Sequence, residues 1–120
     1  MYWKDLTVWQ KAHELVLKAY AFAAKMPDAE KYALCNQLKR YAYSVPANIV
    51  EGHSRKTSKE FVQFLFHARG PLEELRYFFL LSRDLKYITH ENYNELESES
   101  VTINKMLNGL INSVKQIHNS

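Results

Sequence analysis

The chain has 120 residues, 47% of them hydrophobic, with 16 Lys and Arg against 13 Asp and Glu. This length and composition specify one folded domain with one modest core and exclude a disordered chain. The single cysteine, Cys35, excludes an internal disulfide framework and fits a reducing, cytoplasmic setting, and no apolar run reaches the roughly 20 residues of a membrane span.

In chain order, the opening MYWKDLTVWQ has the pattern of neither a signal peptide nor a transit peptide. Strand-like alternation is absent, and four helices follow from the 3.6-residue period. The first, about 8–26, starts at a capping box, Thr7-Val8-Trp9-Gln10. It aligns Val8, Ala12, Leu15, Ala19, Phe22 and Met26, and it stops at Pro27-Asp28. The second, about 30–51, aligns Leu34, Leu38, Tyr41, Val45 and Ile49, with Gly52 as its stop. The loop His53-Ser54-Arg55-Lys56 leads to a second capping box, Thr57-Ser58-Lys59-Glu60. The third helix, about 58–86, carries Phe61, Phe64, Leu65, Ala68, Leu72, Leu75, Phe79 and Ser82 on its main stripe. The fourth, about 90–117, repeats Tyr93, Leu96, Ser100, Ile103, Leu107, Leu110, Val114 and Ile117 as a bundle seam. Short connections make neighbours antiparallel. The fold class is therefore all-α, an up-down-up-down four-helix bundle in a single domain, 1–120.

Pro46 and Pro71 each remove a backbone donor inside a predicted helix. The apolar phase survives both, through 38, 41, 45 and 49 and through 65, 68, 72 and 75, so kinks within continuous second and third helices are expected. The third helix is apolar nearly all round. Phe66, Tyr77, Phe78 and Leu81 lie off its main stripe and are the predicted contacts between copies of a homo-oligomer.

The sequence offers no catalytic or metal constellation. Residues three before the histidines are Gln10, Val50, Phe64, Tyr87 and Lys115, so the Glu-x-x-His pattern of di-iron bundles is missing. Isolated glycines build no phosphate-cradling loop, and Cys35 among apolar neighbours reads as a small buried thiol. No enzyme activity, cofactor or metal is expected.

Basic residues show more order. Lys4, Lys11, Lys18 and Lys25 recur every seven residues, as do Arg69, Arg76 and Arg83, which places each row on one helix face. Arg55, Lys56 and Lys59 crowd the hairpin between the second and third helices. Such rows can track a phosphate backbone, or they can be solvated helix faces. The nucleic-acid contacts expected are Lys11, Lys18, Arg55, Lys56, Lys59, Arg69 and Arg76, for RNA or DNA; the alternative is a protein-interaction scaffold with incidental charge. The final quarter is acidic, with Glu91, Glu95, Glu97 and Glu99 against Lys105 and Lys115.

Around Pro46, the residues Gln37, Arg40, Ser44, Asn48 and Glu51 form a polar ribbon. Ser44 can bond back to the Arg40 carbonyl, Asn48 can donate to another helix and Glu51 can accept from Arg40, Arg55 or Lys59. The expectation is a buried or half-buried network between helices; a ligand-facing ribbon is the alternative.

LTVWQKAHELVLKAY, YALCNQLKRYAYSVPANIVEGHSRKTSKEFVQFLFHARGPLEEL and the closing helix resemble the bacterial 23S rRNA-intervening sequence proteins, also labelled S23 ribosomal proteins. The resemblance spans the chain and centres on SVPANIVEG followed by RKTSKEF; Gly70-Pro71 departs from the Gly-Ser usual in that pattern. It implies a single bundle assembled into a ring, often a homopentamer. The accessory proteins of diversity-generating retroelements, basic pentameric barrels that bind nucleic acid and a reverse transcriptase, are similar in fold. Gln37, Arg40, Ser44, Pro46, Asn48, Glu51 and Gly52 match the family motif. The resemblance brings no catalytic residue.

Overall fold

Side chains at three- and four-residue spacing become the buried stripes of an all-α bundle. The computed structural model describes the backbone of residues 2–119 and the side chains of residues 2–116, and among these it holds four α-helices and no strand. They are α1 (Thr7–Ala23), α2 (Leu34–His53), α3 (Ser58–Asp84) and α4 (His90–Asn119), with short 3-10 turns at Trp3–Asp5 and Asp28–Glu30. No described helix is long and apolar enough to cross a membrane.

Each helix packs on the next in sequence, most extensively α2 on α3, and α1 meets α4 over the smallest surface. Neighbours run in opposite directions. Near one end Gly52 meets Phe64 and Lys115 sits over Phe66, while further along Tyr41 stacks on Phe78 and Arg83 sits over Tyr93. The core lies along the axis, where Leu38, Ile49, Leu65, Leu72, Leu75, Phe79, Ile103 and Leu107 are essentially inaccessible.

Several boundaries differ from the sequence expectation. The capping box at Thr7 does not form. Leu6 occupies the N-cap position without a side-chain bond, and Gln10 Nε2 donates to the Lys4 carbonyl at 2.8 Å, which the 3-10 turn brings within reach. α2 begins at Leu34, later than residue 30, because Pro27 launches a separate turn over Asp28–Glu30. The second capping box forms as expected: Glu60 N–H donates to Thr57 Oγ1 at 3.1 Å, and Thr57 Oγ1 donates to Glu60 Oε1 at 3.0 Å.

Gly52 is not a stop. α2 runs through it to His53, and a Cβ there would lie 2.6 Å from Phe64 Cβ, so its function is close approach of α2 to α3. The left-handed position falls instead on Lys86, with φ 66°, two residues beyond the end of α3. Lys86 N–H donates to Arg83 O and Tyr87 N–H to Ser82 O, both at 2.9 Å, which is the double bond pattern of a Schellman ending.

Pro46 and Pro71 lie inside uninterrupted α2 and α3. The predicted stripes are buried with small shifts. Val62, placed off the third stripe, is buried, and α4 turns Ile111 inward while Leu110 stays half-buried. Ile117, the last predicted seam position, lies outside the described side chains.

Candidate nucleic-acid interface

The basic residues named from the sequence do not form one surface. Acidic residues, chiefly on α4, claim a large part of them. Lys18 on α1 reaches across to Glu95, at 3.0 Å, and to Glu99 of α4. These carboxylates, Glu99 first and then Glu95, hold the Lys18 ammonium above its ordinary 10.5. Arg76 on α3 is clamped between Glu73, at 2.8 Å, and Glu97 of α4, to which its Nε donates at 3.0 Å. Lys11 faces Glu14 at 3.6 Å on its own helix, and Arg55 pairs with Glu51 while lying over the Phe64 ring. Thus one member of each heptad row, Lys18 on α1 and Arg76 on α3, serves as a seam charge. The acidic final quarter was the sequence signal for this, since a helix closing a bundle must lie beside both α1 and α3.

The remaining predicted contacts stay unclaimed. Lys56 and Lys59 are exposed at the α2–α3 hairpin and form no ion pair among the described residues. Arg69 likewise makes no ion pair there and lies over the Phe66 ring at 5.6 Å, joined from α4 by Lys115 at 4.9 Å. Phe66, 40% exposed, thus sits between cations from two helices. A groove of about 310 Å³ opens beside it, lined by Phe66, Arg69, Gly70, Glu73 and Asn104. The Asn104 Oδ1 acceptor is buried and has no hydrogen-bond partner. Lys115 and Asn104 were missed from the sequence; they lie eleven residues apart on α4, about three turns, and that alignment becomes meaningful only once α3 is placed.

The four predicted oligomer contacts differ in exposure. Phe78 stacks on Tyr41 of α2 at 5.6 Å and Leu81 packs against the core, so both are half-buried within the subunit. Phe66 faces α4, and Tyr77 is the most open of the four. A different apolar flank is exposed between α1 and α2. Tyr20 meets Lys39 there, and Leu17 and Tyr43 lie one turn away from them.

The polar ribbon is a local ladder, not a network between helices. Ser44 Oγ donates to Arg40 O and Asn48 Nδ2 donates to Ser44 O, both at 2.8 Å, and Glu51 accepts from Arg55. Asn48 therefore bonds within α2 and not to another helix. Gln37 and Ser44 are half-buried, Arg40 is exposed, and Pro46 is buried toward the core.

Among the described residues no group of three His, Cys, Asp or Glu side chains could hold a metal ion. Three histidines pack on aromatics: His13 stacks on Trp9, and His53 and His67 stand edge-on to Phe61 and Phe64. Cys35 is buried, its Sγ 3.4 Å from the Ala23 carbonyl, and burial pushes its thiol above the ordinary 9.0.

The described residues form a small all-α four-helix bundle. The chain belongs to the 23S rRNA-intervening sequence protein family, whose family model matches residues 4–109. It is also similar to a crystal structure of a protein of unknown function from the S23 ribosomal protein family of Bacteroides thetaiotaomicron. The TM-score is 0.82 and the identity 27%, over 91% of this chain and 98% of that one. No curated protein matches the chain.

Proposed function

We propose that the chain is a non-enzymatic binding protein that assembles with copies of itself and holds RNA or DNA at the α2–α3 hairpin end and the adjoining α3–α4 flank. One observation carries this reading: the gathering of unpaired cations at this end. Lys18 and Arg76 are neutralised at the seams, while Lys56, Lys59, Arg69 and Lys115 make no ion pair among the described residues. Cations without protein counterions are the ones free to displace the salt ions condensed on a phosphate backbone. Several weak patches on one rigid assembly add avidity without new contacts.

Filter binding of a structured RNA at low and at physiological salt tests this. Affinity is expected to fall steeply with salt, and the Lys56→Glu/Lys59→Glu variant is expected to lose most of it. Lys11→Glu, next to Glu14, is expected to bind nearly as the parent does. A hairpin variant that binds undiminished sinks the reading.

A second reading, a protein-interaction scaffold, is favoured by the α1–α2 flank, where Leu17 is 58% and Tyr43 is 48% exposed. An apolar cluster of this kind suits contact with another protein surface or another copy. Co-purification of one stoichiometric protein after nuclease treatment supports the scaffold. Light scattering of the purified chain gives the subunit count, with a pentamer as the number the family resemblance implies.

A further inference from the structure

We infer that the groove beside Phe66 is a stacking platform for an unpaired base, so that the nucleic acid held on the α3–α4 flank is single-stranded; this rests on the nucleic-acid reading above.

Three features converge there. Phe66 is 40% exposed at the mouth of the groove. Two cations from different helices, Arg69 and Lys115, sit on that ring at 5.6 Å and 4.9 Å and make no ion pair among the described residues. Asn104 lines the same groove, and its Oδ1 acceptor is buried and without a partner. An aromatic face, phosphate-seeking cations and an unsatisfied acceptor are the parts that recognise a nucleotide: the base stacks, the cations take the phosphates, and the acceptor meets a base N–H. A base entering the groove takes the place of one cation on the ring. The displaced charge, on a long flexible side chain, swings to the adjoining phosphate.

The neighbourhood admits a strand and not merely a nucleotide. Lys59 lies seven residues before Phe66 and Tyr77 eleven residues after it, so the three share one row of α3. Tyr77 is 56% exposed, a second open ring about 16 Å further along the helix. Between them Gly70 leaves the row unobstructed, since a Cβ there would meet nothing within 4 Å. The acid in the groove, Glu73, is turned toward Arg76 at 2.8 Å. A duplex keeps its bases inside the helix and cannot use the ring, whereas a single strand offers a base face at every residue.

The test compares a fluorescein-labelled single-stranded oligouridine with its duplex by anisotropy, using the full chain. The parent is expected to bind the single strand about tenfold more tightly than the duplex. Phe66→Leu is expected to weaken single-strand binding about five- to tenfold and leave duplex binding unchanged. Tyr77→Leu, at the second open ring, gives the same selective loss and covers the case in which Phe66→Leu unfolds the bundle; circular dichroism melts establish folding for both. If single strand and duplex bind alike and neither variant changes their ratio, the platform is wrong while nucleic-acid binding stands. If neither oligonucleotide binds at low salt, both fall.

Discussion

At Gly109 in α4 an added methyl group would meet nothing within 4 Å, whereas at Gly52 it would lie 2.6 Å from Phe64 Cβ. The two glycines should therefore respond oppositely to the same substitution. Gly109→Ala is expected to raise stability by about 0.5–1 kcal/mol, since alanine restricts the unfolded chain and suits a helix. Gly52→Ala is expected to cost about 1–3 kcal/mol, because α2 must move off α3. Lys86, which holds a left-handed φ of 66°, should gain from Lys86→Gly by about 0.5–1 kcal/mol. Urea denaturation of the three variants checks all of this in one series. Gly52 also shows where the sequence is silent. A glycine at the end of an apolar stripe looks the same whether it ends a helix or lets two helices touch, and only the position of Phe64 separates the two.

Among the elements, α2 and α3 differ from expectation in instructive ways. The ribbon of α2 suggests a network joining helices, because Ser and Asn can donate and Glu can accept. In the structure Asn48 donates to Ser44 O within α2. The Ser44 carbonyl is a helix acceptor already, so the added bond is supplementary. Asn48→Ala is thus expected to cost less than about 1 kcal/mol in thermal melts, where a buried network would cost more. By contrast, Thr57 alone caps α3 through its bond with Glu60 N–H, and Thr57→Ala is expected to cost about 1 kcal/mol. Periodicity located all four helices because each buries one stripe. It could not choose between Leu110 and Ile111, which sit within a third of a turn of each other, until α3 and α1 fixed where α4 points inward. The cation rows failed for the same reason: heptad spacing puts Lys18 and Arg76 on a face, but which face meets the carboxylates of α4 is tertiary information.

For the whole molecule, the shifted titrations all have one sign. Lys18 is raised by Glu99 and Glu95, Tyr87 by its bond to Glu30, and Cys35 by burial. Each group holds its proton more tightly when folded than when unfolded. Its contribution is complete below its unfolded value and is lost as pH rises through the folded one. The earliest of these unfolded values is the 9.0 of Cys35. The melting temperature is therefore expected to lose these contributions progressively above about pH 9. In melts across that range, the deficit of Lys18→Met relative to the parent should shrink as Lys18 itself deprotonates.

The surface between the first and last helices has a further consequence. It is the smallest of the four, it joins residues 77 and 81 positions apart through Lys18, and grooves of about 340 and 210 Å³ run along it. A barrel whose last stave is pinned by charge should spring at that joint first. Amide protons of α1 and α4 should exchange with solvent ahead of those in the α2–α3 hairpin, and added salt should widen the gap by screening the pin.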